Sequence, residues 1–452
     1  MHPSVSGDEI AQVEVATGRR PDHAGAWRAI AWDDLGHTTF AAGTVLVRMR
    51  TGAASAVELP VCAGRGSVWV DGVEAPTAAG PLVVAIGATS AQASHEVVVL
   101  VAVSGYEHRV ACGARPRAGA TAESRERLTS FTFESRHARA GGGRAALYVP
   151  PHHDMTKPSA LLVGLHPWNG SIWTYAAYVE LLDEARARDV VLLMPDGLGN
   201  SLYTADAEDE VLTAMDALGR ALAIDPQRVS LWGASMGGAG ATTVGFHHPD
   251  RFATVTSFFG DSKYDLGTYV KSILHDEAGA HLVNALDVVD NARLVPVWLV
   301  HGECDRVSSI AQSVMLVRAM TQRGLTVHFD RVPDAGHEGT LVARFARDVV
   351  DRAATALAPV VATRVRYRSV HAPDAGAYGV RLTRSGAGDA VVDLERREDG
   401  VHVMRAEGVT SITLARGAMG AAPDQTPPIL LEAGVTGHVS ARWDTVPRPG
   451  AR

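Results

Sequence analysis

Cysteine is scarce in this 452-residue chain: Cys62, Cys112 and Cys304 are the only three. So odd and sparse a set makes no disulfide framework and no CxxC metal spacing. Reduced thiols are the plain reading, with a Cys62–Cys112 bridge as the alternative. No metal and no cofactor are expected. Positive charge is also in deficit: the formal net charge is −8, so no basic footprint points to nucleic acid or another polyanion. No apolar run reaches the roughly 18 residues of a membrane span. The first nine residues lack the basic and apolar regions of a secretory signal. A soluble cytoplasmic protein without a membrane partner is the expectation. No internal repeat recurs at a fixed period. The rest of the composition, 46% hydrophobic and 20% charged, is that of a globular protein. At roughly 150 residues per domain the length suits two or three domains.

Three zones separate by pattern. Residues 38–113 read as short strands, at 44–49, 67–70, 82–86 and 96–103, with Asp71-Gly72 placed as a hairpin turn. Long helical periodicity is missing there, which favours a small β-sandwich. Residues 114–127, rich in Arg, Ala and Gly, read as a linker. From 129 to 358 apolar strands (145–149, 161–165, 190–194, 229–232, 255–259, 297–300 and 326–331) alternate with helices of 3.6-residue spacing (173–188, 207–222, 236–246, 309–323 and 341–357). Strands buried on both faces and joined by crossover helices imply a mostly parallel, doubly wound sheet. After Pro359 strands return, at 365–367, 379–383, 390–394, 402–406 and 411–414. The expected division is a β-rich accessory domain and linker over 1–128, an α/β domain over 129–358 and a second β-rich domain over 359–452.

The most informative stretch is Leu231-Trp232-Gly233-Ala234-Ser235-Met236-Gly237-Gly238. It places Gly-x-Ser-x-Gly between an apolar strand and a helix. A serine on so sharp a turn holds its hydroxyl clear of the sheet, and side chains at the flanking positions would clash. The pentapeptide alone is weak. Glycine is 45 of 452 residues, so over 25 serines about a quarter of a match arises by chance. The strand before and the helix after give it weight against an inert glycine-rich turn. The helix N-terminus also favours negative charge at the site.

A serine nucleophile needs a base, and the base needs an orienting carboxylate. The chain order for this turn is Ser, then Asp or Glu, then His. Asp305 lies just beyond the strand Val297-Trp298-Leu299-Val300, and His337 lies in the loop after the next strand. Glu303 is the rival acid; Asp305 is preferred because it sits further into its loop. Glu338 needs a different geometry, and Asp334 is read as shaping the turn. His301 is read as structural, and His247 and His248, at a helix end, are expected to cap it. Acyl transfer also needs backbone donors for the oxyanion. Met236, after the nucleophile, supplies the first. The loop Leu165-His166-Pro167-Trp168 supplies the second from Trp168, since proline has no N–H. The plainer reading of His166-Pro167 is a strand terminator. Residues 261–294 form an insertion in which Asp261, Lys263, Tyr264 and Tyr269 are candidate substrate contacts, or only surface decoration. Trp173, Tyr175, Tyr178 and Tyr203 are candidates for aromatic lining, or only core.

Together these residues resemble the α/β-hydrolase superfamily, and within it the esterase and prolyl-oligopeptidase-like serine hydrolases. The resemblance rests on Leu165-His166-Pro167-Trp168-Asn169-Gly170, Met194-Pro195-Asp196-Gly197, Ile224-Asp225-Pro226 running into the Gly233–Gly238 turn, His248-Pro249-Asp250-Arg251-Phe252, Val300 through Asp305, and Ala335-Gly336-His337-Glu338. It implies an α/β-hydrolase fold flanked by β-sandwich-like domains. It also implies Ser235 as nucleophile, His337 as base, Asp305 as orienting acid, and N–H donors at Met236 and Trp168. Pro167 departs from the glycine of many relatives. The roughly 130 residues before the catalytic region are too few for the propeller that gates true prolyl oligopeptidases. The flanking domains are similar to accessory sandwiches of some bacterial relatives. The expected activity is carboxylic ester hydrolysis. A peptidase or amidase with the same triad, an acyltransferase and a non-catalytic binding protein are the alternatives. The substrate is expected to be a small molecule or short peptide, and self-association through the β-domains is allowed.

Overall fold

The computed structural model describes residues 8–41, 43–51, 56–59, 65–75, 82–85, 95–103, 109–110, 117–118, 127–137, 142–175, 178–264, 270–370, 376–433, 435 and 438–444. Cys62, Cys112 and Tyr269 lie outside them. The chain forms two compact units, one of residues 1–200, 209–223 and 342–351, the other of 201–208, 224–341 and 352–452.

The first unit opens with strands β1 (Asp8–Glu9), β2 (Gln12–Thr17), β3 (Arg28–Ala31), β4 (Thr44–Thr51), β5 (Ala56–Leu59), β6 (Arg65–Val70), β7 (Val73–Ala75), β8 (Leu82–Ala85), β9 (His95–Ala102) and β10 (Arg117–Ala118), with a short helix α1 (Trp32–Leu35) between β3 and β4. They form a six-stranded sheet in the order β3-β2-β4-β9-β6-β7 and a four-stranded sheet in the order β1-β10-β5-β8. Period-2 alternation decides the faces. Val45, Val47 and Met49 of β4 share one buried cluster with Val97, Val99 and Val101 of β9 and with Leu59 of β5. Leu46, between them in sequence, packs with Trp69 and Val98 on the opposite face. Asp71 and Gly72, at φ 48° and 81°, join β6 to β7, whose pairing is antiparallel. The expected linker at 114–127 holds a strand: Arg117 of β10 pairs with Glu58. Composition is blind to pairing at such sequence distance.

The same unit continues with β11 (Arg127–Phe133), β12 (Gly143–Val149), β13 (Ser159–Leu165), helix α2 (Val179–Arg188) and β14 (Val190–Pro195). β11 and β12 make an antiparallel pair, and β12 pairs antiparallel with β14. β13 and β14 are parallel, with α2 as their crossover. Both are buried along their whole length, which explains their largely apolar sequences. α2 begins six residues later than the expected helix at 173, because 172–174 form a turn.

In the second unit, β15 (Ile224–Ala234), β16 (Thr254–Phe258), β17 (Val297–Gly302) and β18 (Val327–Val332) are parallel and adjacent in that order. The first turn of α3 (Ala205–Ala221) belongs here. So do α4 (Met236–His247), the short α5 (Lys271–Leu274) and α6 (Glu277–His281), and α7 (Ala311–Gln322). Trp232, Phe258 and Trp298, on three successive strands, meet edge to face at centroid distances of 5.9 and 6.0 Å. Such pairs contribute about 0.5–1.5 kcal/mol each beyond their burial. The unit ends in a β-rich region of strands β19 (Arg364–Ser369), β20 (Val380–Arg384), β21 (Ala390–Arg397), β22 (Gly400–Glu407), β23 (Val409–Leu414), β24 (Ile429–Leu431) and β25 (Ser440–Trp443). These form one sheet in the order β19-β21-β22-β24 and another in the order β20-β23-β25. Their buried faces share one core, with Val365, Val392 and Val403 from the first sheet and Leu382, Ile412 and Leu414 from the second. The Tyr367 hydroxyl donates to the carbonyl of His247 at 2.8 Å, tying this region to the end of α4.

Candidate active site

β15 ends at Ala234, and the chain turns at once into α4. Ser235, between them, has φ 57° and ψ −120°. Side-chain-bearing residues avoid that conformation, and it persists only where the surroundings hold it. Here the Ser235 amide donates to the Phe258 carbonyl on β16 at 2.9 Å. All twelve residues of α4 are buried. Ser235 is its N-cap residue but makes no side-chain cap bond, so the hydroxyl is left for another partner. Met236 is the first residue of α4, and its amide has no intrahelical acceptor.

Close backbone approach explains two glycines. A Cβ on Gly238 would stand 2.6 Å from the Phe258 carbonyl oxygen. A Cβ on Gly260 would stand 2.3 Å from the Ala239 nitrogen and 2.4 Å from the Gly238 carbonyl carbon. Both contacts lie at the first turn of α4, which follows Ser235. Gly260→Ala is therefore expected to cost about 1–3 kcal/mol in overpacking and to slow turnover as the turn shifts. A urea melt and a steady-state ester assay measure the two effects; wild-type values in both would reject this account.

His337 follows β18 through the turn Pro333-Asp334-Ala335-Gly336. Asp334 adopts φ 60° there, and the Gly336 amide donates to Glu338 Oε1 at 3.1 Å. These two acidic residues shape the loop. The His337 ring lies 2.8 Å from Ser235 Oγ through Nε2 and 2.7 Å from Asp305 Oδ2 through Nδ1. Asp305 follows β17, and its Oδ1 accepts from the amides of Val307 and Ser308 at 2.8 and 2.9 Å. Burial pushes the Asp305 carboxyl upward, but hydrogen bonds from His301 and His337, the charge of His337 and the Val307 amide outweigh it, and the group sits far below the usual carboxylate range. An ionised Asp305 only accepts. Nδ1 of His337 therefore carries the proton, and Nε2 is left to accept from the Ser235 hydroxyl.

The structure thus brings Ser235, His337 and Asp305 together in one hydrogen-bonded chain. Glu303, the rival acid, points elsewhere, pairing with Arg331 at 2.8 Å. His301 is fully buried. Its Nε2 lies 2.9 Å from the Ser308 carbonyl and 3.4 Å from Asp305 Oδ2, and Nδ1 lies 2.8 Å from Ser313 Oγ. It holds the loop that carries Asp305. Phe259, at φ 39°, places its ring 4.6 Å from that of His337. No sequence signal marked Phe259, which meets the site from the end of β16, or Ser308 and Ser313, which meet it from the loop after β17 and from α7.

The other candidates fall as follows. Asp261, three residues past β16, accepts from Ser308 Oγ at 2.6 Å. Tyr264 is buried, and its amide donates to Asn284 Oδ1 at 2.9 Å. Lys263 is exposed. Trp168, in the first unit, is half-buried after β13, in a turn closed by the Gly170 amide to the Pro167 carbonyl at 2.9 Å. His166 is buried, its ring 2.9 Å from the carbonyls of Pro167 and Asp196, so it anchors this loop as well as ending the strand. Trp173, in the same unit, is half-buried in a turn, its amide 3.2 Å from Ser171 Oγ. Tyr175 and Tyr203 are core residues. His248 is the C-cap residue of α4, its backbone amide donating to the Val244 carbonyl at 3.0 Å, but the side chains of His247 and His248 do not cap the helix. They flank the buried carboxylate of Glu208, at 2.8 and 2.5 Å, because inward-facing rings at a helix end find a carboxylate rather than the last carbonyls. Among the described residues no cluster of potential metal ligands occurs, and no helix is long and apolar enough to cross a membrane. Cys304 is exposed and unbridged.

A serine on a sharp strand-to-helix turn, with an aspartate and a histidine beyond later strands of the same parallel sheet, is the arrangement of the α/β-hydrolase fold. Residues 199–358 match the model of the prolyl oligopeptidase family, which bears out the resemblance over that stretch. No curated protein matches the sequence. Among solved structures, an S-formylglutathione hydrolase from Agrobacterium tumefaciens is similar at 19% identity over 51% of this chain and 95% of its own, with a TM-score of 0.46. An acylaminoacyl peptidase from Pyrococcus horikoshii is similar at 14% over 57% of this chain and 46% of its own, with a TM-score of 0.43. Dipeptidyl peptidase 4 from Porphyromonas gingivalis is similar at 16% over 56% of this chain and 40% of its own, with a TM-score of 0.42.

Proposed function

We propose that this chain is a serine hydrolase that cleaves a carboxylic ester through an acyl-enzyme on Ser235. The observation that carries the reading is the unbroken chain from Ser235 Oγ through the His337 ring to Asp305, at 2.8 and 2.7 Å. As Oγ attacks the carbonyl carbon, its proton passes to Nε2. Asp305, ionised at neutral pH, stabilises the imidazolium and holds its orientation. The developing oxyanion meets the Met236 amide at the N-terminus of α4, where the helix dipole favours negative charge. Nε2 then returns its proton to the leaving alkoxide, and water repeats the sequence in reverse to free the acid. The substrate is a small molecule or short peptide, and the β-rich regions 1–128 and 359–452 are accessory to the catalytic region 129–358. The match to the prolyl oligopeptidase family favours a second reading, in which the same groups cleave an amide.

Labelling with a fluorophosphonate tests the nucleophile: the wild-type chain is expected to label and Ser235→Ala to lose the label. Equal labelling of both rejects Ser235 as the labelled group, and labelling of neither leaves a non-catalytic binding protein as the reading. A panel of p-nitrophenyl esters against peptide anilides decides between the two substrates. Anilide turnover without ester turnover sinks the ester reading.

A further inference from the structure

Asp305 and Asp261 are both carboxylates beside the proposed base, but only one of them is compensated. Asp305 has the His337 ring at 2.7 Å and the His301 ring at 3.4 Å. Asp261 has a single neutral donor, Ser308 Oγ at 2.6 Å to Oδ1. Its Oδ2 has no hydrogen-bond or ion-pair partner among the described residues, and Lys263 and Arg306, the cations two residues along the chain from Asp261 and from its donor Ser308, are exposed on the surface. The same segment is held in place. Gln312 Oε1 accepts from the amides of Ser262 and Lys263 at 3.1 and 3.0 Å, and Gln312 Nε2 donates to the Lys263 carbonyl at 2.8 Å. On its other side Gly260 is seated against the first turn of α4. Asp261 is therefore a fixed carboxylate, anchored through one oxygen and without a partner among the described residues at the other. It lies two residues from Phe259, whose ring rests 4.6 Å from that of His337.

A carboxylate withdrawn from water without a cation is costly, and it persists most readily where a ligand supplies the opposite charge. The free protein shows that cost. Burial raises the affinity of Asp261 for a proton, against the Ser308 hydrogen bond and the charges of His337 and His301, with Asp305 adding to the rise.

We propose that Asp261 is a specificity-determining residue that receives a cationic group, an ammonium or guanidinium, of the substrate acylating Ser235. Oδ2 takes the charge-assisted hydrogen bond, and Ser308 holds Oδ1 so that the acceptor direction is set in advance. The inference rests on the hydrolase reading, because the cation is placed on the molecule whose carbonyl Ser235 attacks.

A binding measurement on the full chain carrying Ser235→Ala separates the two, since it needs no turnover. The probes are stable anilides in matched pairs, p-nitroanilides for the acyl side. β-Alanine and 4-aminobutyric acid anilides are set against those of butanoic and pentanoic acid, for a cation on the acyl side. 4-Aminomethylacetanilide is set against 4-ethylacetanilide, for one on the leaving side. By calorimetry, the cationic member of at least one pair is expected to bind about 30-fold tighter than its neutral isostere, the low end for a charge pair shielded from water. Adding Asp261→Asn is expected to bring that ratio close to one, and Asp261→Glu, which keeps the charge, to retain part of it. Equal binding of cationic and neutral members in every pair, or a ratio that survives Asp261→Asn, overturns the proposal. Turnover of p-nitrophenyl butanoate by the wild-type chain is read separately and bears on the hydrolase reading alone.

Discussion

Asp305→Asn is expected to lower kcat for ester cleavage by about 10^4-fold in a chain that still folds. The replacement keeps the shape of the side chain. Its carbonyl oxygen can still accept from the Val307 and Ser308 amides, as Asp305 Oδ1 does now. The amide nitrogen then faces His337 Nδ1 in place of Oδ2. An NH2 group only donates, so Nδ1 must accept, and the ring proton moves to Nε2. That nitrogen, 2.8 Å from Ser235 Oγ, can no longer take the hydroxyl proton. The defect is one of tautomer, not of packing. Steady-state kinetics on a p-nitrophenyl ester measure the loss, and a thermal melt shows that folding is retained. A loss under about tenfold with folding intact would remove Asp305 from its proposed role.

The second large effect is on stability and lies at the other end of α4. Glu208 is 2% exposed, with its two oxygens against the rings of His247 and His248. Burial alone pushes such a carboxyl upward. The charge of His247 and the hydrogen bonds from both rings reverse that and hold it well below the usual carboxylate range. Glu208→Ala leaves His247, itself 1% exposed, facing a void where its acceptor was. Breaking a buried pair in this way costs about 3–5 kcal/mol. The carbonyl of His247 also receives the Tyr367 hydroxyl, so loosening this corner reaches the β-rich region that follows. The urea midpoint of Glu208→Ala against wild type measures the cost, and a change below about 1 kcal/mol, the range of a surface substitution, rejects it.

The pH dependence has a definite sign. A carboxyl whose folded-state pKa is depressed contributes stability that is fully present above its unfolded value, about 4.3 for Glu. That stability is lost as pH falls through the folded value. Wild type is therefore expected to lose its advantage over Glu208→Ala on acidification below about pH 4, and to keep it between neutrality and pH 5. An advantage that stays constant down to pH 2 would contradict this.

Much of the fold was legible because burial on both faces leaves a plain trace. β13, β14 and β17 carry apolar runs over most of their length, β16 is buried throughout although it includes Thr254, Thr256 and Ser257, and the helices between them carry their own period. The β-rich flanks were read in part. β4, β6, β9 and most strands of the final region carry short apolar or alternating runs. β10, with two residues, and β24, with three, have no pattern to read and exist only because a partner strand pairs with them. The candidate site divides in the same way. Ser235, Asp305 and His337 stand out because a strand-to-helix turn and two strand ends set them in order. Phe259, His301 and Ser308 surround them without any local signature.

What the sequence by itself determined is the set of reactive groups and their order along the chain. A Gly-x-Ser-x-Gly turn after an apolar strand, an aspartate past the next-but-one strand and a histidine past the one after it follow from local pattern, since alternation and glycine spacing are properties of short segments. Only the tertiary structure decided which charges are satisfied. It gave Asp305 two histidines and Glu208 two more, and it left Asp261 with one serine hydroxyl. Those partners lie between 4 and 47 residues away along the chain. The difference is one of range: backbone pattern acts over a few residues, whereas the pairing of a buried carboxylate depends on which side chains the packed sheet and helices bring beside it.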